Sequence, residues 1–281
     1  MVERYTHVHG VTVPRLIYGT AWKEDATSAL TSTAIGAGFR GIDTANQRRH
    51  YDEAGVGEAL AAAFAKGMRR QDLFIQTKFT YRIGQDHRLP YNPSAALAEQ
   101  VEQSFASSLG HLGVDYVDAY LLHGPSRRRG LGDADWEVWA AMERLHAAGK
   151  TRLLGVSNVS VEQLDALCAA AAVKPAVVQN RCFAHTGWDR DVRQLCEERG
   201  MLYEGFSLLT ANRDILRLSH LQDIAAKTGK TLAQVIFRFA LQVGMVGLTG
   251  TTSAEHMQQD LDIFDFELNA ADVEAIETAA L

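Results

Sequence analysis

Four side chains capable of acid–base chemistry arrive in order along the first half of the chain. Asp43 lies in Gly41-Ile42-Asp43-Thr44-Ala45, Tyr51 follows shortly after, Lys78 closes Ile75-Gln76-Thr77-Lys78, and His123 closes Tyr120-Leu121-Leu122-His123. The runs before Asp43, Lys78 and His123 read as apolar strands, so in a parallel sheet all four residues converge at one end. A phenol beside an ammonium and an imidazole is a proton donor, able to protonate an oxygen while another group attacks the adjoining carbon. A buried strand-end Asp and Lys are costly unless paired, so an Asp43–Lys78 ion pair is the economical arrangement. Lys78 near the phenol would favour phenolate and lower the Tyr51 pKa from about 10. Gly124-Pro125 make a tight exit after His123, which is expected to be exposed and free to orient a carbonyl or assist proton transfer. Singly, each residue also reads as a cap, a surface pair or a filler; the succession on consecutive units is what points to chemistry.

The elements that must position these residues alternate in type. Strands are expected at 16–18, 40–43, 73–77, 116–122, 152–156, 176–179, 202–205 and 246–248. Helices are expected at 24–37, 53–67, 94–112, 134–148, 160–172, 188–199, 218–228, 231–242, 254–261 and 269–279. In the third helix Leu97, Val101, Phe105, Leu109 and Leu112 form one apolar stripe. Eight short apolar strands without polar alternation imply a parallel sheet covered on both faces, and eight β–α units fit a (β/α)8 TIM barrel better than an open sheet. Active sites of that fold lie at the C-terminal strand ends, which is where Asp43, Lys78 and His123 fall on strands two, three and four. His7 to Val13 reads as an N-terminal β-hairpin plugging the opposite end. No linker or low-complexity segment divides the chain, so 1–281 is expected to be one domain.

A formal net charge of −6 gives no basic field for nucleic acid or an anionic membrane. Cys168, Cys182 and Cys196 form no CxxC pair and suit a reducing compartment. No run reaches membrane-spanning length, and Met1-Val2-Glu3-Arg4 does not open a signal peptide, so a cytoplasmic protein is expected, monomeric or a weak homo-oligomer. The ten histidines include no HExxH, so no metal is expected. Gly-Lys-Thr at 149–151 and 229–231 lacks the earlier glycine of a phosphate loop, and Gly55-Val56-Gly57 lacks the third glycine of the dinucleotide fingerprint.

The chain resembles the aldo-keto reductase superfamily. The resemblance is carried by Gly19-Thr20-Ala21-Trp22, Gly38-Phe39-Arg40-Gly41-Ile42-Asp43-Thr44-Ala45, Gly55-Val56-Gly57-Glu58-Ala59-Leu60, Thr77-Lys78, Leu121-Leu122-His123, Gly155-Val156-Ser157-Asn158 and Val178-Gln179-Asn180. It implies a barrel that binds NAD(P)H without a Rossmann domain and reduces an aldehyde or ketone. Tyr51 would be the general acid, supported by Asp43, Lys78 and His123. Ser157, Asn158 and Gln179 would hold the carboxamide, with Thr20 and Asp43 also touching cofactor. Phe206 replaces the aromatic ring, usually tyrosine, that stacks under the nicotinamide; a core role is the alternative. Ser207 and Leu209 fall where the family's loop wraps the pyrophosphate.

Two departures qualify this resemblance. The family's commoner spacing puts the tyrosine five residues after the aspartate, where Arg48 stands; two or three inserted residues delay it to Tyr51, with His50 the nearest other proton donor. Where the family usually places a lysine and, six residues on, an arginine for the adenosine 2′-phosphate, this chain has Gly250 and His256, and Asp260 replaces a usual asparagine. Thr251, Thr252 and Gln259 complete that segment, which also reads as a helix N-cap at Ser253. NADP(H) is expected first, with NAD(H) or dual use open.

Trp22, Tyr51, Phe79 and His123 are the expected substrate contacts, with Tyr81 and Trp188 as further candidates for an aromatic wall or for core. Arg48, Arg49, Arg82, Arg88 and Arg127-Arg128-Arg129 read either as solvated loop or as an electropositive mouth. With Leu281 right after the last helix, a pocket open to bulky substrates is expected. Two other functions fit the residues: a Schiff-base lyase or aldolase using Lys78, and a slow-turnover cofactor-binding regulator.

Overall fold

The computed structural model describes residues 3–280; Met1, Val2 and Leu281, which bound the expected domain and open the stretch read for a signal peptide, lie outside the described residues. Strands β1 (Tyr5–Val8) and β2 (Val11–Pro14) pair antiparallel across a His9-Gly10 turn with φ of 47° and 75°. Two successive positive φ angles are the twist a two-residue hairpin needs, and glycine adopts one without steric cost. Val8, Val11 and Val13 cluster with Phe74, Leu153, Ala176 and Val246 at the beginnings of barrel strands. The hairpin therefore closes the N-terminal mouth of the barrel.

Eight parallel strands follow: β3 (Leu16–Gly19), β4 (Gly41–Asp43), β5 (Phe74–Phe79), β6 (Val117–Leu122), β7 (Thr151–Ser157), β8 (Val177–Arg181), β9 (Leu202–Phe206) and β10 (Val246–Thr249). They pair in chain order and β10 returns to β3, closing the barrel. The first six helices, α1 (Thr27–Ala37), α2 (Glu53–Ala65), α3 (Leu97–Leu112), α4 (Asp133–Ala147), α5 (Val161–Ala170) and α6 (Arg190–Glu198), each follow one strand. Both α7 (Ser219–Thr228) and α8 (Leu232–Gln242) separate β9 from β10, and α9 (Ala254–Leu261) and α10 (Ala270–Glu277) come last.

The expected elements are all present, with displaced ends. β5, β7, β8 and β9 run one or two residues further than their apolar stretches, because Lys78, Phe79, Ser157, Asn180, Arg181 and Phe206 are still held in the ladder. α3 begins at Leu97 rather than at residue 94, since the Asn92 side chain accepts from the Ser94 amide and turns the chain there. α6 starts at Arg190 because Trp188 and Asp189 both take φ of 57°.

Backbone contact between α2 and α3 depends on Gly57, where a Cβ would sit 1.9 Å from the His111 carbonyl oxygen. Gly57→Ala is therefore expected to destabilise by roughly 2–3 kcal/mol through overpacking. Gly110→Ala, on the open face of α3 with no neighbour within 4 Å, is expected to stabilise by roughly 0.5–1 kcal/mol. Urea denaturation of both variants checks the contrast; equal effects would contradict the close approach.

Candidate active site

Register places Asp43 beside Gln76, and Lys78 one inward-facing position further along β5. Lys78 Nζ lies 2.5 Å from Asp43 Oδ1 and donates to the Thr44 carbonyl at 2.9 Å, with the lysine side chain fully buried. Gln76 and Gln179 also donate to Asp43 Oδ1, at 2.8 and 2.9 Å. A buried pair is sustained only when its remaining polar valences are met, and these donors meet them. Burial alone would depress the ammonium, but Asp43, Tyr51 and Glu204 outweigh it and raise the Lys78 pKa. Such a lysine stays protonated, which counts against the Schiff-base chemistry.

The loop after β4 reels in its extra residues by a turn. The His50 and Tyr51 amides both donate to the Gln47 carbonyl, while Gln47 Nε2 donates to Gly84 O and Asn46 Nδ2 to Ser104 O. Arg48 pairs with Asp52, and Arg88 reaches across to the Arg48 carbonyl. The Tyr51 ring consequently lies 5.4 Å from Lys78 Nζ and edge-on to His123 at 5.9 Å. His50 faces the same cavity but stacks on Trp22 at 4.0 Å. The expected lowering of the Tyr51 pKa does not hold: desolvation of the phenolate is larger than the opposing pull of Lys78, and the pKa is raised.

His123 is half-buried rather than exposed. Its Nδ1 shares a 2.6 Å hydrogen bond with Thr80 Oγ1. Burial first, then the charges of Lys78 and His50, push its pKa down to about 3, so the ring is neutral.

A cavity of about 790 Å³ opens at this C-terminal end, within the size range of small-molecule sites. Its wall includes Trp22, Asp43, Tyr51, His123, Ser157, Gln179, Phe206, Ser207, Leu209, Gly250, Thr251, His256, Gln259 and Asp260. Four expected contacts are absent from that wall. Phe79 points outward from β5 into the shell core against Tyr81 and Tyr91, because side chains alternate along a strand. Thr20 is buried behind the wall, clamping the Asp43 carbonyl with both its hydroxyl and its amide. Asn158 uses its amide to brace the His123 carbonyl at 2.8 Å, and Thr252 is turned to solvent. Of the further aromatic candidates, Tyr81 hydrogen-bonds Asp135, and Trp188 is fully buried against Phe239 and donates to the Ile276 carbonyl.

At the far end of the cavity, Ser253 caps α9 by accepting from the His256 amide. Thr251 Oγ1 accepts from the Ser253 amide, and Tyr18 OH donates to the Thr251 carbonyl. The buried Asp260 accepts from Thr249 Oγ1 at 2.6 Å, and burial pushes its pKa up to about 6.

Sequence reasoning passed over three further residues of this site. Lys23 donates to the Gly250 carbonyl, and a Cβ at position 250 would lie 3.6 Å from its ammonium. A cation thus stands beside Gly250, the position at which the resemblance led to the expectation of a lysine. Its only sequence signal was its place after Trp22. Arg181 lines the wall from the end of β8. Glu204 is a carboxylate set in the middle of an apolar strand, fully buried, and that position was its signal.

The family model for the Aldo/keto reductase family matches residues 15–280. Glyoxal reductase of Bacillus subtilis is 33% identical over 96% of this chain and 90% of its own length. Morphine 6-dehydrogenase of Pseudomonas putida is 31% identical over 96% of this chain and 88% of its own. The crystal structure of an aldo/keto reductase from Brucella melitensis superposes with a TM-score of 0.83 at 29% identity, covering 99% of this chain and 100% of that one.

A histidine at the reference value near 6.5 is mostly charged at about pH 5. His123 is expected to remain neutral there, because its proton is taken up only near 3. Nitrogen-15 NMR of the imidazoles checks this; a His123 ring that titrates with the exposed histidines would contradict the desolvated site.

Proposed function

Because the chain belongs to the aldo/keto reductase family, we propose that it reduces an aldehyde or ketone to an alcohol, with Tyr51 as the proton donor. The observation that carries this reading is the Tyr51 ring held between the Lys78 ammonium and the His123 ring at one end of the cavity. The names of two relatives, a glyoxal reductase and a morphine 6-dehydrogenase, agree with carbonyl–alcohol interconversion.

The donor set suits a nicotinamide dinucleotide. Ser157, Gln179 and the flat ring of Phe206 share the wall with the acid–base cluster, and Lys23, Thr251 and His256 stand toward α9. A bound dihydronicotinamide supplies the hydride. The substrate oxygen is placed between Tyr51 and His123. A neutral imidazole has no second proton to give, so His123 orients that oxygen and Tyr51 protonates it. The Tyr51 phenol is a weak acid at rest, yet an alkoxide is a stronger base than phenolate and takes its proton. Lys78 then stabilises the phenolate, and Asp43 holds Lys78 in place.

NADP(H) is the favoured cofactor, with NAD(H) or dual use the alternative. Lys23 supports the phosphate-bearing form, since it supplies a cation that Gly250 cannot.

Tyr51→Phe is expected to lower carbonyl reduction by about 10²-fold or more, the order of a general acid, with cofactor binding retained. Turnover near wild type would remove Tyr51 from the role. Lys23→Met is expected to weaken dinucleotide binding by about tenfold, since charged hydrogen bonds are worth roughly 1.5–3 kcal/mol. Fluorescence titration with both dinucleotides measures this, and an unchanged affinity would remove Lys23 from the site.

A further inference from the structure

We propose that Glu204 is a positioning residue of the proton-transfer site, bound through Gln76 and Gln179 to Asp43, and that its protonation state sets the field under which Tyr51 works. The inference rests on the carbonyl-reductase reading.

Its basis is a hydrogen-bonded layer across the barrel lumen. Gln76 Nε2 donates to Asp43 Oδ1 at 2.8 Å and to Glu204 Oε2 at 2.7 Å. Gln179 Nε2 donates to the same two oxygens at 2.9 and 2.8 Å. Both hydrogens of each amide are thereby used, and carboxyl groups from β4 and β9 are tied together by amides from β5 and β8. Lys78 lies directly beyond this layer, bonded to the Asp43 oxygen that both amides also contact. Neither the distance of Glu204 from the others in sequence nor its position in an apolar strand requires this connection.

Glu204 is fully buried, and its Oε1 has no hydrogen-bond partner among the described residues. The charged groups acting on Glu204 are Asp43 from β4 and Lys78 from β5, and the same two act on Tyr51. One ammonium and two ionised carboxylates would leave a net negative charge in the buried lumen of the barrel. With Glu204 neutral, the charges balance. Burial, and after it the charge of Asp43, push the Glu204 carboxyl up to about 7, against the hydrogen bonds from Gln76 and Gln179 and the charge of Lys78.

The consequence for Tyr51 follows by sign. Below about pH 7 Glu204 is neutral, and Lys78 serves Asp43 and the nascent phenolate. Above it the added negative charge opposes phenolate formation, Tyr51 becomes a weaker acid, and reduction slows.

Glu204→Gln tests this, because its amide oxygen still accepts from Gln76 and Gln179 while nothing titrates. In carbon-13 NMR of protein labelled at glutamate carboxyls, one resonance is expected to titrate near 7 and to be missing in Glu204→Gln. The Tyr51 phenol, read as the absorbance difference from Tyr51→Phe, is expected to titrate at lower pH in Glu204→Gln than in the parent. The reduction rate is expected to fall through pH 7 in the parent and to stay level there in the variant. A Glu204 carboxyl titrating at the ordinary value near 4.3, or a Tyr51 titration that Glu204→Gln leaves unmoved, would overturn the proposal. Those two readouts need no turnover. Absence of carbonyl reduction with a shifted Tyr51 titration would therefore defeat the function proposed above and leave the Glu204–Tyr51 coupling supported.

Discussion

The site depends on one buried ion pair, Lys78 with Asp43. An ammonium taken fully out of water is tolerated only with close compensation. Here the carboxylate at 2.5 Å and the Thr44 carbonyl at 2.9 Å provide it. The carboxylate oxygen is in turn fixed by two glutamine amides from opposite sides of the barrel. Removing either charge would leave the other uncompensated, and the glutamine amides tie β5 and β8 to the same carboxylate of β4. The barrel supplies the means, since only a closed sheet brings strands two, three and six to one lumen.

Around that pair the site is governed by competition between desolvation and charge. At Tyr51 desolvation wins over the nearby ammonium, and the phenol is held above its ordinary pKa. At His123 burial and the cations act in the same direction, and the ring is left neutral. The result is two rings a few ångströms apart that both resist taking on charge, a phenol held in its protonated form and an imidazole held neutral. The loop carrying Tyr51 meets this geometry although it is longer than the family's common form, because a turn at Gln47 and anchors at Gly84 and Ser104 take up the added residues.

The barrel and the four acid–base positions were legible in the sequence, Tyr51 less directly because its loop departs from the common spacing. Strand order, the hairpin and the placing of Asp43, Lys78 and His123 at strand ends follow from short apolar runs that alternate with amphipathic helices. What escaped notice has physical causes. The polar residues that extend β5, β7 and β8 (Lys78, Ser157, Asn180 and Arg181) break the apolar pattern at the very ends where a site is built. Phe79 follows Lys78 in the chain, but the alternation of side chains along β5 turns it away from the pocket. Lys23 and Gly250 lie far apart in sequence, so the cation beside the glycine appears only when β10 closes against β3. The Tyr51 pKa departs from its expected direction because a sequence shows neighbouring charge but not the loss of water.

The central claim is that the buried Lys78–Asp43 pair supplies the field in which Tyr51 gives up its proton. Spectroscopic titration of the Tyr51 phenol in folded Lys78→Gln, against Tyr51→Phe as the blank, tests it most directly. The account predicts a Tyr51 pKa higher in Lys78→Gln than in the parent protein. An unchanged or lower value would mean that Lys78 does not act on the phenol, and the proposed acid would have lost its support.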